Sequence, residues 1–436
     1  MFLALSFLNA GLLVLFWIAS RRLTGPHIAS FFAVYYFFFF LFKPYGQVFF
    51  GLGVEPSSEV LHYSIMYQIC GSMLLCSLLL VLIWSRAWRR IPFARVFTFP
   101  AGTHKGYLRA FVLCLLVSYA ANVIRLGSPL YFLSAGDLFA KSMALVNGLW
   151  FINVAALTAI TCASLAWISS IYDRYGKSAS FGILLVFVAL IYIFGKPDSR
   201  TGLLVIFLAW LFSYPGIIKK GISGFLQLAV VAVFCVIFML VYGLARTGGN
   251  VVDRGVANGG MSSMVGEAAI SVFSDLRPAD NALMLMEHFH YAPFWHFQYL
   301  AGAITPLCLV PSKIFPFKLP ADKEQVLTET IFPNGVNPYI YHFGSTLTFT
   351  LPASGYTDFG WAGVVVACIL YSMFYMAMAL LREISPQSKL IGSFLLLNHI
   401  AQLRISIEGI LISLYVFLLF FGIVRLVVGR EARETG

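Results

Sequence analysis

The sequence predicts an all-α polytopic membrane protein with about 11 transmembrane helices, its amino terminus outside and its carboxyl terminus inside. Three observations lead to this fold class. Hydrophobic residues make up 60% of the 436 residues and charged residues only 11%, whereas soluble domains have roughly 25% charged residues. Apolar segments long enough to cross a bilayer recur along the chain. Basic residues follow every second segment, and the positive-inside rule assigns those loops to the inner side.

Apolar segments about twenty residues long are the predicted membrane spans. The predicted spans are residues 1–20, 27–43, 63–84, 107–124, 148–171, 179–195, 201–216, 222–244, 361–381, 389–403 and 408–425. The first segment has neither a basic region ahead of it nor a small-residue cleavage pattern, so a spanning helix is expected rather than a signal peptide.

The net charge of +11 is explained by the predicted topology. The inner loops carry 17 of the 29 Lys and Arg residues but only 4 of the 18 Asp and Glu residues. The excess of positive charge therefore reflects orientation in the membrane, and anionic lipid at the inner face is the expected partner. No nucleic-acid partner is expected.

The longest polar stretch, residues 246–360, lies on the predicted outer side, between the membrane helices of residues 1–245 and those of residues 361–436. It contains nine acidic residues, six Lys or Arg residues and four of the eight histidines. Apolar residues at helical spacing in 262–276 predict that the loop is partly helical. Since catalysis requires groups that carry charge, this loop is the predicted functional region of the chain.

Cations at the outer ends of predicted spans are not explained by the positive-inside rule. They are Arg125, Lys196, Arg200, Arg246 and Arg404. A single arginine at a membrane boundary is most often an anchor whose side chain reaches the interface. A set that meets one acidic loop also fits bidentate binding of phosphate oxygens. Arg200 has the greatest weight, because a helix is predicted to start there and its amide groups favour an anion.

Two other groupings have a structural interpretation that is preferred to a chemical one. His288, His290 and His296 are not spaced to share a helix face, so packing or solvent exposure is favoured over metal binding. Arg404 and Glu408 are predicted to form a salt bridge that closes the last outer turn. No metal and no cofactor are expected.

Short motifs in and around the outer loop resemble those of bacterial Wzy-type O-antigen and oligosaccharide repeat-unit polymerases. Residues 199–202 (Ser-Arg-Thr-Gly) resemble the family's Ser-Arg-Thr element at an outer helix start. Residues 277–280 and the Pro- and Lys-containing run 305–316 are similar to the family's loop segment. Residues 355–363 (Gly-Tyr-Thr-Asp-Phe-Gly-Trp-Ala-Gly) resemble the aromatic and acidic motif before the next span. The resemblance covers about residues 195–380, and it departs from the family at Leu307, where an arginine is usual.

The resemblance implies a metal-independent glycosyltransferase in the bacterial inner membrane, with its active site on the periplasmic side. It would transfer a growing glycan from undecaprenyl pyrophosphate to a hydroxyl of an incoming lipid-linked repeat unit. A chain-length regulator protein is a further implied partner.

The expected site residues have three roles. The pyrophosphate would be bound by Arg200, Arg246, Arg254 and Arg277. Asp358 or His342, near the return of the loop to the membrane, would take the proton of the acceptor hydroxyl. Tyr356 and Trp295 would stack on sugar rings. Two alternatives stay open, an O-antigen ligase-like glycosyltransferase and a flippase or transporter for the same lipid-linked oligosaccharide.

Overall fold

The computed structural model describes the chain in separate stretches. These are residues 1–50, 58–85, 104–126, 128–130, 149–191, 200–214, 223, 227, 277–291, 294–296, 298–304, 323, 326–327, 350–383, 386–404 and 406–434. Regular structure in these stretches is helical throughout. The all-α prediction is therefore confirmed for the described part of the chain.

The amino-terminal helices are α1 (Phe2–Thr24), α2 (Pro26–Tyr36), α3 (Lys43–Phe50) and α4 (Ser58–Ile83). Gly25 separates α1 from α2 with a φ of 83°, a backbone conformation that glycine adopts without steric cost. A proline then starts α2, where its missing amide hydrogen is not needed. A π-helical turn, Phe37–Phe42, joins α2 to α3.

The middle of the chain contains α5 (His104–Leu126), α6 (Leu149–Leu190) and α7 (Arg200–Ser213). Helix α6 is interrupted at Gly176, where φ is 82° and ψ is −174°. The ring centroids of Trp167 and Phe187 are 5.0 Å apart, although a straight helix would separate these residues by about 30 Å. The two halves of α6 therefore fold back on each other as a hairpin. The turn lies between the predicted spans 148–171 and 179–195.

Within the described residues, the carboxyl-terminal half contains three helices from the predicted outer loop and a group of helices that follows it. They are α8 (Arg277–Tyr291), α9 (Gln298–Ile304), α10 (Leu351–Phe359), α11 (Trp361–Leu381), α12 (Pro386–Ala401), a 3₁₀ turn (Gln402–Arg404) and α13 (Ile407–Glu434).

Several helices have the length and composition of membrane spans. Within the described stretches they are Phe2–Thr24, Pro26–Gly46, Val60–Ile83, Gly106–Ile124 and Trp361–Leu381. Shorter apolar helices follow at Leu204–Ser213, Lys389–Ala401 and Ile407–Leu419. The chain thus has the features of a helical membrane protein. The count of about 11 spans and the orientation stay predictions, and nearly all of the predicted span 222–244 lies outside the described residues.

The core joins the amino-terminal helices to α11. Phe16 of α1 lies 4.5 Å from Phe32 of α2 and 5.7 Å from Tyr375 of α11, measured between ring centroids. Polar groups support the same packing, because the Tyr36 hydroxyl donates to Asn9 Oδ1 at 2.7 Å and Asn9 Nδ2 donates to the Gln68 carbonyl oxygen at 3.0 Å. Hydrogen bonds between helices are a common means of association in membranes. Residues near both ends of the chain therefore share one helix bundle.

Helices α10 and α11 touch each other through their backbones. A Cβ atom added to Gly355 would lie 2.7 Å from the Gly363 carbonyl oxygen, and one added to Gly363 would overlap the Gly355 carbonyl oxygen. Gly360 forms the turn between the two helices with a φ of 57°. The three glycines of the motif 355–363 therefore have a packing role, which is to fold α10 tightly against the start of α11.

We expect Gly363→Ala to destabilise the protein by about 1–3 kcal/mol, because the added methyl group must push α10 away from α11. Thermal unfolding of the purified protein in detergent measures this change. Gly182→Ala is the matched control, since nothing lies within 4 Å of a Cβ atom at Gly182 of α6. Equal melting temperatures for the two variants would contradict the close packing.

Candidate charged centre

The candidate site is organised by α10, a short helix enclosed by its neighbours. Every residue from Leu351 to Asp358 is buried. The helix packs against α4, α8, α11 and α13. Ala353, Ser354 and Gly355 have small side chains, and these allow neighbouring helices to approach. The sequence thus produces a short helix that is held inside the bundle and carries the acidic residue Asp358.

The carboxyl end of α10 is capped by the link between α8 and α9. The backbone amide of Trp295 donates to the Thr357 carbonyl oxygen at 2.9 Å, and that of His296 donates to the Asp358 carbonyl oxygen at 3.0 Å. The last carbonyl groups of a helix have no partner within the helix. The predicted outer loop therefore supplies hydrogen bonds that a buried helix end requires, and these bonds fix the position of Asp358.

Three charged side chains meet beside α10. Lys323 Nζ lies 2.6 Å from Asp358 Oδ2 and 3.4 Å from Glu408 Oε1. The side chains of Lys323 and Glu408 are 0% exposed and that of Asp358 is 2% exposed. A charge of this kind is stable in a protein interior only when it is paired and hydrogen-bonded. These three residues, called the charged centre below, form the most strongly charged buried group of the described residues.

The amino-terminal end of α13 favours an acid at this place. Ser406 Oγ accepts a hydrogen bond of 3.2 Å from the Gly409 amide, which is the usual geometry of an N-terminal cap. Glu408 lies in the first turn of α13, where the helix dipole stabilises negative charge. Lys323 is a cation that reaches Glu408 Oε1, and the predicted pair of Glu408 with Arg404 stays a prediction. The Arg404 side chain lies outside the described residues.

The aromatic residues around α10 pack on one another. Tyr356 is 5% exposed, with its ring 5.9 Å from Phe294 and 5.7 Å from Trp361 in edge-on geometry. Burial raises the pKa of the Tyr356 hydroxyl. Trp295 is partly buried, 5.1 Å from Phe289. Both residues that were expected to stack on sugar therefore contact protein rings in this structure.

The arginines predicted to bind pyrophosphate are only partly described. Arg200 is the first residue of α7 and Arg277 the first of α8, and their side chains lie outside the described residues. About 20 Å of helix separates Arg277 from the end of α8 that adjoins Trp295. Arg246, Arg254 and His342 also lie outside the described residues. The predicted convergence of arginines thus stays a prediction. The described residues contain no group of His, Cys, Asp and Glu side chains that could hold a metal ion.

Lys323 and Glu408 were missed as site residues by sequence reasoning. Lys323 stands in the polar run Ala-Asp-Lys-Glu-Gln, which has the composition of an exposed surface. Glu408 was interpreted as a partner of a nearby arginine. The only signal in the sequence was the position of Glu408, which is an acid at the edge of an apolar segment.

Arg382 forms a second buried polar contact, away from the charged centre. Its Nε donates to Ser393 Oγ at 2.8 Å, and its Nη1 donates to the carbonyl oxygen of Thr24, the last residue of α1. Burial lowers the pKa of the Arg382 guanidinium to about 10, so the group is charged at neutral pH. The sequence places Arg382 among the inner basic residues, and the structure gives it a role in joining α1, α11 and α12.

We expect Tyr356→Ala to lower stability by about 3 kcal/mol, because the ring packed between Phe294 and Trp361 is lost. Tyr356→Phe keeps the ring and should stay within about 1 kcal/mol of the original protein. Thermal unfolding in detergent distinguishes the two. Tyr175→Ala is the exposed control, since Tyr175 is 61% exposed. A Tyr356→Ala variant that melts like this control would show that the ring does not support the site.

Comparison with protein-family models, with curated proteins and with solved structures finds no match to this chain. The function is therefore argued from the residues of the chain itself.

Proposed function

We propose that the chain is a membrane glycosyltransferase that polymerises lipid-linked oligosaccharide repeat units. The reaction breaks the bond between the anomeric carbon of the growing glycan and undecaprenyl pyrophosphate. It forms a glycosidic bond to a hydroxyl of the incoming repeat unit, and the hydroxyl proton passes to a base. Undecaprenyl pyrophosphate leaves with the bonding electrons. The reaction requires no redox cofactor.

The observation that carries this proposal is the location of Asp358. The motif 355–363, which resembles that of the polymerases, forms the end of α10 and the start of α11. The Asp358 carboxylate lies at the charged centre, where the predicted outer loop contacts the ends of α11 and α13. A carboxylate at the junction between an outer loop and a membrane bundle is well located to act on a lipid-linked substrate.

The proposal assigns separate tasks to anionic and cationic residues. Arg200, Arg246, Arg254 and Arg277 would stabilise the negative charge that develops on the departing pyrophosphate. Asp358 would take the acceptor proton, with His342 as the other candidate base. The Asp358 side chain is 2% exposed and paired with Lys323. Proton transfer to Asp358 therefore requires its carboxylate to become accessible to the acceptor when substrate binds.

A flippase for the same lipid-linked oligosaccharide is the second candidate, and one observation favours it. Ionisable residues inside a membrane bundle frequently mark the path of a transported ion or substrate. Besides the charged centre, His399 is buried in α12, with its ring stacked on Tyr371 of α11 at 4.0 Å. An O-antigen ligase-like transferase is the remaining alternative.

Surface polysaccharide from a deletion strain of the source bacterium separates these functions. Loss of a polymerase should leave one repeat unit on lipid A, seen as a single band instead of a ladder on a gel. Loss of a flippase or a ligase should leave no repeat unit on lipid A. Complementation with the original gene should restore the ladder.

We expect Asp358→Asn, Arg200→Ala and Arg246→Ala each to abolish the ladder while leaving one repeat unit attached, because each removes a charge used in the reaction. Asp173→Asn is the control for Asp358→Asn, since Asp173 is an exposed acid in the turn of the α6 hairpin. Immunoblots of membranes check that each variant is inserted. Full-length ladders from Arg200→Ala and Arg246→Ala would refute the assignment of the pyrophosphate site.

A further inference from the structure

The charged centre connects parts of the chain that are far apart in sequence. Lys323 precedes Asp358 by 35 residues and Glu408 by 85 residues. Lys323 belongs to the predicted outer loop, Asp358 lies just before α11, and Glu408 lies in the first turn of α13. One ammonium group thus touches the loop's last helix and a membrane helix at the same time.

We propose that Lys323, Asp358 and Glu408 form a clamp that fixes the Lys323 part of the predicted outer loop to α10 and to the first turn of α13. Within this clamp, Lys323 is a positioning residue for the Asp358 carboxylate. The clamp is independent of the proposed function, whereas the positioning role rests on it.

The charges of the three groups explain why Lys323 has the central position. Two carboxylates side by side in a buried site repel each other, and an ammonium group between them removes the repulsion. The two contacts are unequal, because the 2.6 Å distance to Asp358 is that of a strong charge-assisted hydrogen bond and the 3.4 Å distance to Glu408 is longer. Lys323 therefore holds Asp358 tightly and Glu408 more weakly.

Among the described residues, few polar groups could replace the contact of Lys323 with Glu408. Glu408 Oε2 has no hydrogen-bond partner among the described residues, so the known contact of the Glu408 carboxylate is the one to Lys323. The Ser354 hydroxyl lies one helical turn before Asp358 and likewise has no partner within the described part of the chain. The Thr357 hydroxyl is already used, because it donates to the Ser354 carbonyl oxygen at 2.8 Å. Loss of Lys323 would remove the described cation that touches both buried carboxylates.

Variants of the clamp should differ in stability, because they leave different charges in the buried site. Glu408→Gln leaves one cation and one anion at the short distance, so it should be the mildest. Lys323→Met leaves the two carboxylates without the cation that touches both, so it should be the most harmful. The triple variant Lys323→Met, Asp358→Asn, Glu408→Gln removes all three charges of the clamp, and neutral replacement of a buried ion group is often tolerated.

The clamp is tested by the apparent melting temperature of each purified variant in detergent and by limited proteolysis in membranes. We expect Lys323→Met to lower the melting temperature by roughly 10 °C and to increase cleavage of the outer loop. Glu408→Gln should lower it by less, and the triple variant should recover most of the loss. Lys177→Met and Glu287→Gln are matched controls, because both residues are exposed. A Lys323→Met protein as stable as the controls, or a triple variant no better than Lys323→Met, would overturn the clamp.

The positioning role is tested by turnover of purified protein in liposomes with an undecaprenyl-pyrophosphate-linked repeat unit. Lys323→Arg keeps the charge but displaces the carboxylate, so kcat should fall by roughly ten- to hundred-fold with KM unchanged. An unchanged kcat would refute the positioning role. If Asp358→Asn polymerises normally, the base assignment in the proposed function fails, while the melting data still decide the clamp.

Discussion

The structure around the candidate site depends on one buried interaction, the contact of the Lys323 ammonium group with Asp358 and Glu408. Removing an ammonium group from water is costly, and the cost is offset only by good hydrogen bonds to opposite charges. The three residues are therefore tied to one arrangement of the helices that bear them. Any movement of Lys323 away from α10 or α13 would separate charges inside the bundle, where the dielectric screening is weak.

Close helix packing makes this interaction geometrically possible. Gly355 and Gly363 let the backbones of α10 and α11 touch, and Gly360 reverses the chain between them. The link between α8 and α9 then satisfies the last carbonyl groups of α10. Because α10 is enclosed and capped in this way, Asp358 has little freedom to move. The glycines of the motif 355–363 thus act through packing, and its acidic residue, Asp358, belongs to the charged centre.

The predicted chemistry and the observed charged centre involve different cations. The proposed function assigns the pyrophosphate to arginines at the outer ends of helices, and the structure pairs Asp358 with a lysine that the sequence did not single out. These assignments are compatible if Lys323 holds the carboxylate in place while arginines bind the leaving group. Under these assignments, the site has a buried part beside α10, which contains Asp358, and a second part with the arginines, which must be open to a lipid substrate.

The sequence by itself determined the membrane class, the helical fold and most helix positions, because apolar segments and glycine breaks act locally. Gly176, for example, lies between two apolar segments and ends one half of the α6 hairpin. Only the tertiary structure decided that Lys323, Asp358 and Glu408 meet and that Arg382 contacts the end of α1. These contacts join residues 35 to 358 positions apart, and no spacing rule relates such residues. Their partners depend on how the helices pack, and packing is determined by the shapes of all the side chains together.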